Sequence, residues 1–234
     1  MVPEIFTTII IAIVVVLILL LVRANETVPT FEIPPEDVNY DDTPAEWFAN
    51  VKKTTNMLAE DVFAIYDAAK VAAHLSEPHW FVTMFNEWPS PQFVKWLKTL
   101  QQITEHNDPV MRNAIFALID RIRHNVDETN FVVSEVMETY EQHRSDPIFK
   151  QPAERFAHLP YAQRVQVMSL CDLVPRIPSL ILSFQDQFAK IQKANEELFP
   201  HAPEVWSHKK IAMFVDAFDA NNGDRMREIN GLVF

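Results

Sequence analysis

The sequence predicts an all-α protein. It has an N-terminal single transmembrane helix, an acidic extended linker and a compact irregular multi-helix bundle. Three observations lead there. The stretch from Ile5 to Val22 reads IFTTIIIAIVVVLILLLV and holds no charge. Glycine is almost absent, with only Gly223 and Gly231 in 234 residues. Apolar residues then recur at steps of three and four in segments punctuated by proline, the pattern of amphipathic helices. The expected domains are an anchor over residues 1–22, a linker over 23–42 and an all-helical globular domain over 43–234.

The anchor expectation rests on length. A helix crosses the hydrocarbon core with about 20 apolar residues, and residues 5–22 come close to that. Thr7 and Thr8 interrupt the run, but threonine hydroxyls bond back to helix carbonyls. Only a helix or a closed barrel satisfies the backbone in lipid, and one short segment makes no barrel. The expected partner of Ile5 to Val22 is therefore the lipid bilayer. A cleaved signal peptide is the competing reading, with the cut after Ala24. It would make the chain a secreted helical protein. Against it, the residues before the apolar run carry no Lys or Arg, and the run is long for a signal. Arg23 is the only basic residue near either flank. The positive-inside rule then places the body on the cytosolic side.

The linker reads RANETVPTFEIPPEDVNYDD. Pro29, Pro34 and Pro35 remove backbone donors and favour extended chain, and clustered acids repel one another. Asn25-Glu26-Thr27 is a formal glycosylation sequon. The apolar Val28, Phe31, Ile33, Val38 and Tyr40 exceed what a spacer needs and suit a groove on the body or on a partner.

The body's helices follow in order. Thr43-Pro44-Ala45-Glu46 is a capping box with proline at the first helical position. It opens a helix expected to run to about His74 through Trp47, Val51, Leu58, Val62 and Ile65. Ser76-Glu77-Pro78 starts a short helix with Trp80, Phe81, Met84, Phe85 and Trp88. Pro89-Ser90-Pro91 recaps a third, with Phe93, Trp96, Leu97 and Leu100. Asn107-Asp108-Pro109 precedes a fourth, from Val110 to about Val126. Asp127 is expected to cap a fifth, with Phe131, Val132, Val136, Met137 and Tyr140. Pro160 opens a sixth, interrupted by Pro175 and Pro178. A seventh runs from Ser179 to Leu198, an eighth from Glu204 to Ala220, and a short tail helix from Arg225 to Asn230. Twelve of the 16 prolines fall in this body, nearly all at junctions. Proline is tolerated in a first turn but costs about 3 kcal/mol inside a helix, so the chain turns sharp corners between short helices.

Composition removes several function classes. Phosphate loops and dinucleotide fingerprints need several glycines, which this chain lacks. The net charge is −12, and the first 42 residues, with seven acids and one Arg, supply half of it. An acidic body without a basic stripe predicts no nucleic-acid partner and no docking on anionic lipid through a basic face. Cys171 stands alone, so no intrachain disulfide or cysteine-based zinc site can form. It reads as a small buried core residue.

Each candidate site has a plainer alternative. Trp80, Phe81, Phe85, Trp88, Phe93 and Trp96 form the densest aromatic run. Its members fall at helical spacing and suit a core, while Trp80, Trp88 and Trp96 are also the candidate partner contacts. The terminal Phe234 is the fourth, by strand addition or tucking. Asp120, His124, Asp127 and Glu128 share helical spacing that could hold a divalent metal, but a break near Asp127 would misalign them. A solvated face is the simpler reading. Asp219 to Asp224 fails the calcium-loop pattern, and Asn222-Gly223 reads as a left-handed turn ending a helix. No catalytic motif, cofactor or metal is predicted.

The expected function is that of a structural or accessory subunit of a membrane-associated assembly, an organelle-membrane complex or a viral envelope, whose other proteins are its partners. The second reading is a membrane-tethered adaptor whose helical body binds a soluble partner. The third is an enzyme with a buried polar cavity drawing on His74, His106, His124 and Glu60.

Overall fold

A computed structural model describes residues 43–105, 108–199 and 201–231. The anchor, the linker, His106 and Phe234 lie outside them. Helices are the only regular secondary structure among the described residues, with no strand among them. Eleven α-helices follow one another: α1 Pro44–Ala72, α2 His79–Thr83, α3 Pro91–Thr104, α4 Arg112–Glu128, α5 Asn130–His143, α6 Pro147–Lys150, α7 Pro152–Arg155, α8 Tyr161–Leu173, α9 Ile177–Leu198, α10 His208–Asp219 and α11 Gly223–Ile229. Short 3-10 turns at Pro109–Met111 and Val174–Arg176 lead into α4 and α9.

Helix α1 is the hub. The predicted capping box forms: the Thr43 backbone N–H donates to Glu46 Oε2 at 2.6 Å, and the Glu46 N–H reaches Thr43 Oγ1 at 3.5 Å. The Thr43 hydroxyl also donates to Glu46 Oε2, at 2.7 Å, and this bond together with the one from the Thr43 backbone N–H holds the Glu46 carboxyl below its ordinary range. The helix is 29 residues long, roughly 44 Å at 1.5 Å per residue. It packs along α8, α3 and α9. Trp47, Val51, Leu58, Ala59 and Val62 lose all solvent exposure there. At its N-terminal end Trp47 Nε1 donates to the Ile191 carbonyl at 3.0 Å. The Trp47, Phe48 and Phe199 rings meet edge to face.

The aromatic run resolves into two parts. Phe81, Trp88 and Phe93 are fully buried, and Phe85 and Trp96 nearly so. Phe81 stacks on Phe156 at 6.0 Å, and Phe93 meets Phe184 edge to face at 5.8 Å. Trp80 alone of the run's tryptophans remains half-buried.

The structure corrects four boundaries. The second helix stops at Thr83 rather than reaching Trp88. Asp127 does not cap a fifth helix: α4 continues through Glu128, and the corner falls at Thr129, whose hydroxyl bonds back to the Val126 carbonyl at 3.1 Å. Asp127 instead accepts from Gln185 Nε2 at 2.7 Å. The eighth predicted helix starts at His208, not Glu204. Ser207 caps it, Trp206 packs edge to face on Phe214 at 5.4 Å, and Glu204 is taken by Lys210 at 2.7 Å. The left-handed residue ending α10 is Asn221, at φ 50°, rather than Gly223. The Asn222 N–H bonds the Ala217 carbonyl and the Asn221 N–H the Phe218 carbonyl, both at 2.9 Å, a Schellman closure. Asn222 then caps α11 through Arg225 N.

Among the described residues, one helical run, Tyr161–Leu198, is long and apolar enough to cross a membrane by length and composition. More than half of its most apolar window, 56%, is buried inside the body. Its two limbs, joined at the turn carrying Pro175, pack on α1, and α9 also packs on α4. A core helix passes the same length test, and this run has a core helix's surroundings.

A polar seam joins α4 to α9, which run antiparallel. Arg112 Nε donates to Asn195 Oδ1 at 2.9 Å. Further along, an Arg123 guanidinium N–H donates to Gln192 Oε1, and Gln192 Nε2 reaches Asp120 Oδ1 at 3.4 Å. Gln187, Gln192 and Asn195 are buried. Buried amides that lack partners are costly, so the seam fixes the register between the two helices.

Candidate functional site

Two open clefts mark the described surface. The larger, about 720 Å³, is bounded by Lys98, Ile103, Glu105, Asp108, Met111, Phe218, Asp219 and Met226. Its lining mixes one cation with three carboxylates.

The smaller cleft, about 520 Å³, lies between the α2 end of the aromatic run and the face of α5. Its construction follows from local sequence. Pro78 starts a five-residue helix too short to bury a whole face. Thr83 Oγ1 returns to the His79 carbonyl at 2.8 Å. Trp80 is thereby presented toward α5, where its ring stacks flat on His143 at 4.0 Å with an interplanar angle of 2°. Met84, buried, continues this wall, and Asn86 and Glu87 form its exposed lip.

The opposite wall is α5. Val132, Val136 and Thr139 repeat at steps of four and three and line the cleft; Glu135, Glu138 and Gln142 repeat likewise on the neighbouring stripe, as 3.6 residues per turn requires. Val136 is buried and Val132 half-buried. Phe131, four residues before Glu135, heads the outer stripe and is 72% exposed. The cleft therefore has an apolar floor and a rim carrying Glu87, Glu135 and Glu138. No Lys or Arg lines it. Glu138 accepts from Gln142 Nε2 at 3.2 Å. None of the three carboxylates forms an ion pair among the described residues.

The predicted candidates distribute unevenly. Trp80 lines this cleft. Trp88 has no exposure, and Trp96 is 7% exposed with the Arg121 guanidinium 4.7 Å above its ring. Both serve the core and present no face to a partner in this arrangement. Phe234 lies outside the described residues. The stripe Asp120, His124, Asp127 and Glu128 stays on one helix, so the expected misalignment does not occur. Its members nevertheless part: His124 meets Glu128 at 3.3 Å, while Asp127 and Asp120 face glutamines of α9. No group of three metal-ligating side chains assembles among the described residues. His74, Glu60 and His124 are exposed and line neither cleft. Cys171 is buried, and burial pushes its thiol up to about 12, which suppresses thiolate chemistry.

Sequence reasoning missed Met84, Glu87, Glu135 and Glu138. A readable signal existed for α5. It carries three glutamates and no Lys or Arg over its 14 residues, so its acids lack the i, i+4 cations that usually accompany a solvated helix face.

Comparison with protein-family models, curated proteins and solved structures finds no match for this chain.

Proposed function

We propose that this chain is a single-pass, membrane-anchored structural or accessory subunit of a larger membrane-associated assembly, with the helical body making protein contacts. The observation that carries the reading is the pairing of an uncharged apolar run at residues 5–22 with a body whose cleft at Trp80 offers an apolar floor and unpaired acids. The run supplies attachment to the bilayer. The cleft is the kind of concave, amphipathic surface that takes a protein segment. Arg23 favours a cytosol-side body.

The same cleft favours a second reading, a membrane-tethered adaptor that engages a soluble partner. The two readings differ in how long the partner stays. Purification from native membranes in mild detergent separates them. A subunit brings stoichiometric partners through size exclusion. An adaptor comes alone and gains its partner on addition. A monomer that binds nothing overturns both. Mass spectrometry of the mature N-terminus checks the anchor in parallel: a chain beginning at Asn25 converts the protein to the secreted form.

A further inference from the structure

We infer that the cleft between Trp80 and α5 is a docking site for a basic amphipathic helix of a partner protein. The inference deepens the protein-contact reading above and rests on it. The shape argument comes from α5. Positions 131 to 142 span about 16 Å at 1.5 Å per residue, three turns of a partner helix laid alongside. Trp80, Met84, Val132 and Val136 supply a floor for that helix's apolar stripe. Phe131, at 72% exposure, lies one turn of α5 before Glu135 and just beyond the lining residues, where a helix laid along α5 would cover it. Aromatic rings in such positions anchor helix-in-groove complexes.

The charge argument selects the partner. Glu135 and Glu138 stand on one lip and Glu87 on the other. A helix with Lys or Arg flanking its apolar stripe meets a carboxylate on either side. The lining holds no cation to compete for those acids. An acidic peptide or an anionic lipid surface would add like charge and is disfavoured. The acidic linker of this chain is disfavoured on the same ground.

The test uses the full chain in zwitterionic nanodiscs, with empty nanodiscs subtracted. The probe is a fluorescent 14-residue Leu/Lys amphipathic helix, and the readout is anisotropy. Wild type is expected to bind it. Glu135→Lys with Glu138→Lys is expected to weaken binding at least 10-fold and to favour a Leu/Glu helix instead. A control with equal charge change at exposed sites elsewhere, Glu60→Lys with Glu196→Lys, is expected to stay within 2-fold of wild type. The proposal is overturned if wild type does not bind, or if both double variants lose affinity equally, which marks general charge attraction. It is also overturned if a photo-cross-linker at position 132 captures a second copy of the chain instead of the probe. Circular dichroism on each variant separates misfolding from lost docking. Retained co-purifying partners without probe binding would sink the groove and leave the subunit reading. Probe binding by a chain that purifies alone would do the opposite.

Discussion

Helices α1 and α5 carry similar apolar spacing and meet different fates. Helix α1 buries 11 of its 29 residues and is enclosed by α8, α3 and α9. Helix α5 buries only Val133 and Val136 of its 14 and packs against the end of α4 and the turn at Val174–Arg176. The same contrast separates Trp88, with no exposure, from Trp80, which closes one side of an open cleft. Amphipathic spacing specifies that a helix has an apolar face. Whether that face meets the chain's own core or is left for a partner depends on how many other helices reach it. Stability should therefore concentrate around α1, and binding around α5.

The strongest challenge to that division is Trp47→Ala. It removes a fully buried indole, its hydrogen bond to Ile191 and its edge-to-face contacts with Phe48 and Phe199. Large-to-small changes of this kind cost about 3–5 kcal/mol, so chemical denaturation should show a loss of that size, or no folded body at all. A loss under about 1 kcal/mol would mean that α1 is not the hub.

Arg155→Ala should cost less, about 1–2 kcal/mol. Its guanidinium holds Glu77 at 2.5 Å, and the Glu77 side chain is only 3% exposed. Removing the Arg strands that carboxylate, while the exposure of Arg155 itself, 43%, moderates the effect. The Arg155→Ala, Glu77→Gln double variant should recover part of the loss in the same denaturation measurement.

Alkaline pH probes the core by a third route. Burial holds the Cys171 thiol neutral up to about 12 in the folded chain, while an unfolded thiol ionises near 8.5. The folded state then binds the more protons above that value, so stability falls as pH rises from about 9. Burial also raises Tyr140, which acts in the same direction. The Cys171 contribution should be on the order of 1–2 kcal/mol by pH 10. Melting curves of wild type and Cys171→Ala between pH 7 and 10 should converge as pH rises; parallel curves would deny the thiol any role.

The smallest stability effect is expected at the cleft. Glu135→Lys with Glu138→Lys alters exposed, unpaired acids and should change folding stability by no more than about 0.5 kcal/mol, even as it weakens docking at least 10-fold. A large stability loss would place these residues in the fold rather than in recognition.

Much of the body was legible in the sequence because its signals are local. The Thr43 box, Ser90 before Pro91 and the proline corners at 147, 152 and 178 fall where local backbone chemistry puts them. The misplaced boundaries have tertiary causes. Asp127 looks like a cap until Gln185 of a distant helix claims it. Glu204 looks like a helix start until Trp206 is seen seated on Phe214. The α4–α9 seam was invisible because buried Gln192 and Asn195 resemble surface residues until their arginine partners arrive. For the candidate site, spacing placed three tryptophans in one group. It could not tell which of them the core would absorb, since that depends on residues from far along the chain, such as Arg121 over Trp96 and His143 against Trp80.

Hydrogen–deuterium exchange on the full chain, with and without the Leu/Lys helix, tests the division between core and docking surface most directly. Added protection should appear over residues 80–87 and 131–142 and leave α1 unchanged, already slow to exchange in both states. Protection spread evenly over the acidic surface, or confined to α1 and α8, would contradict it.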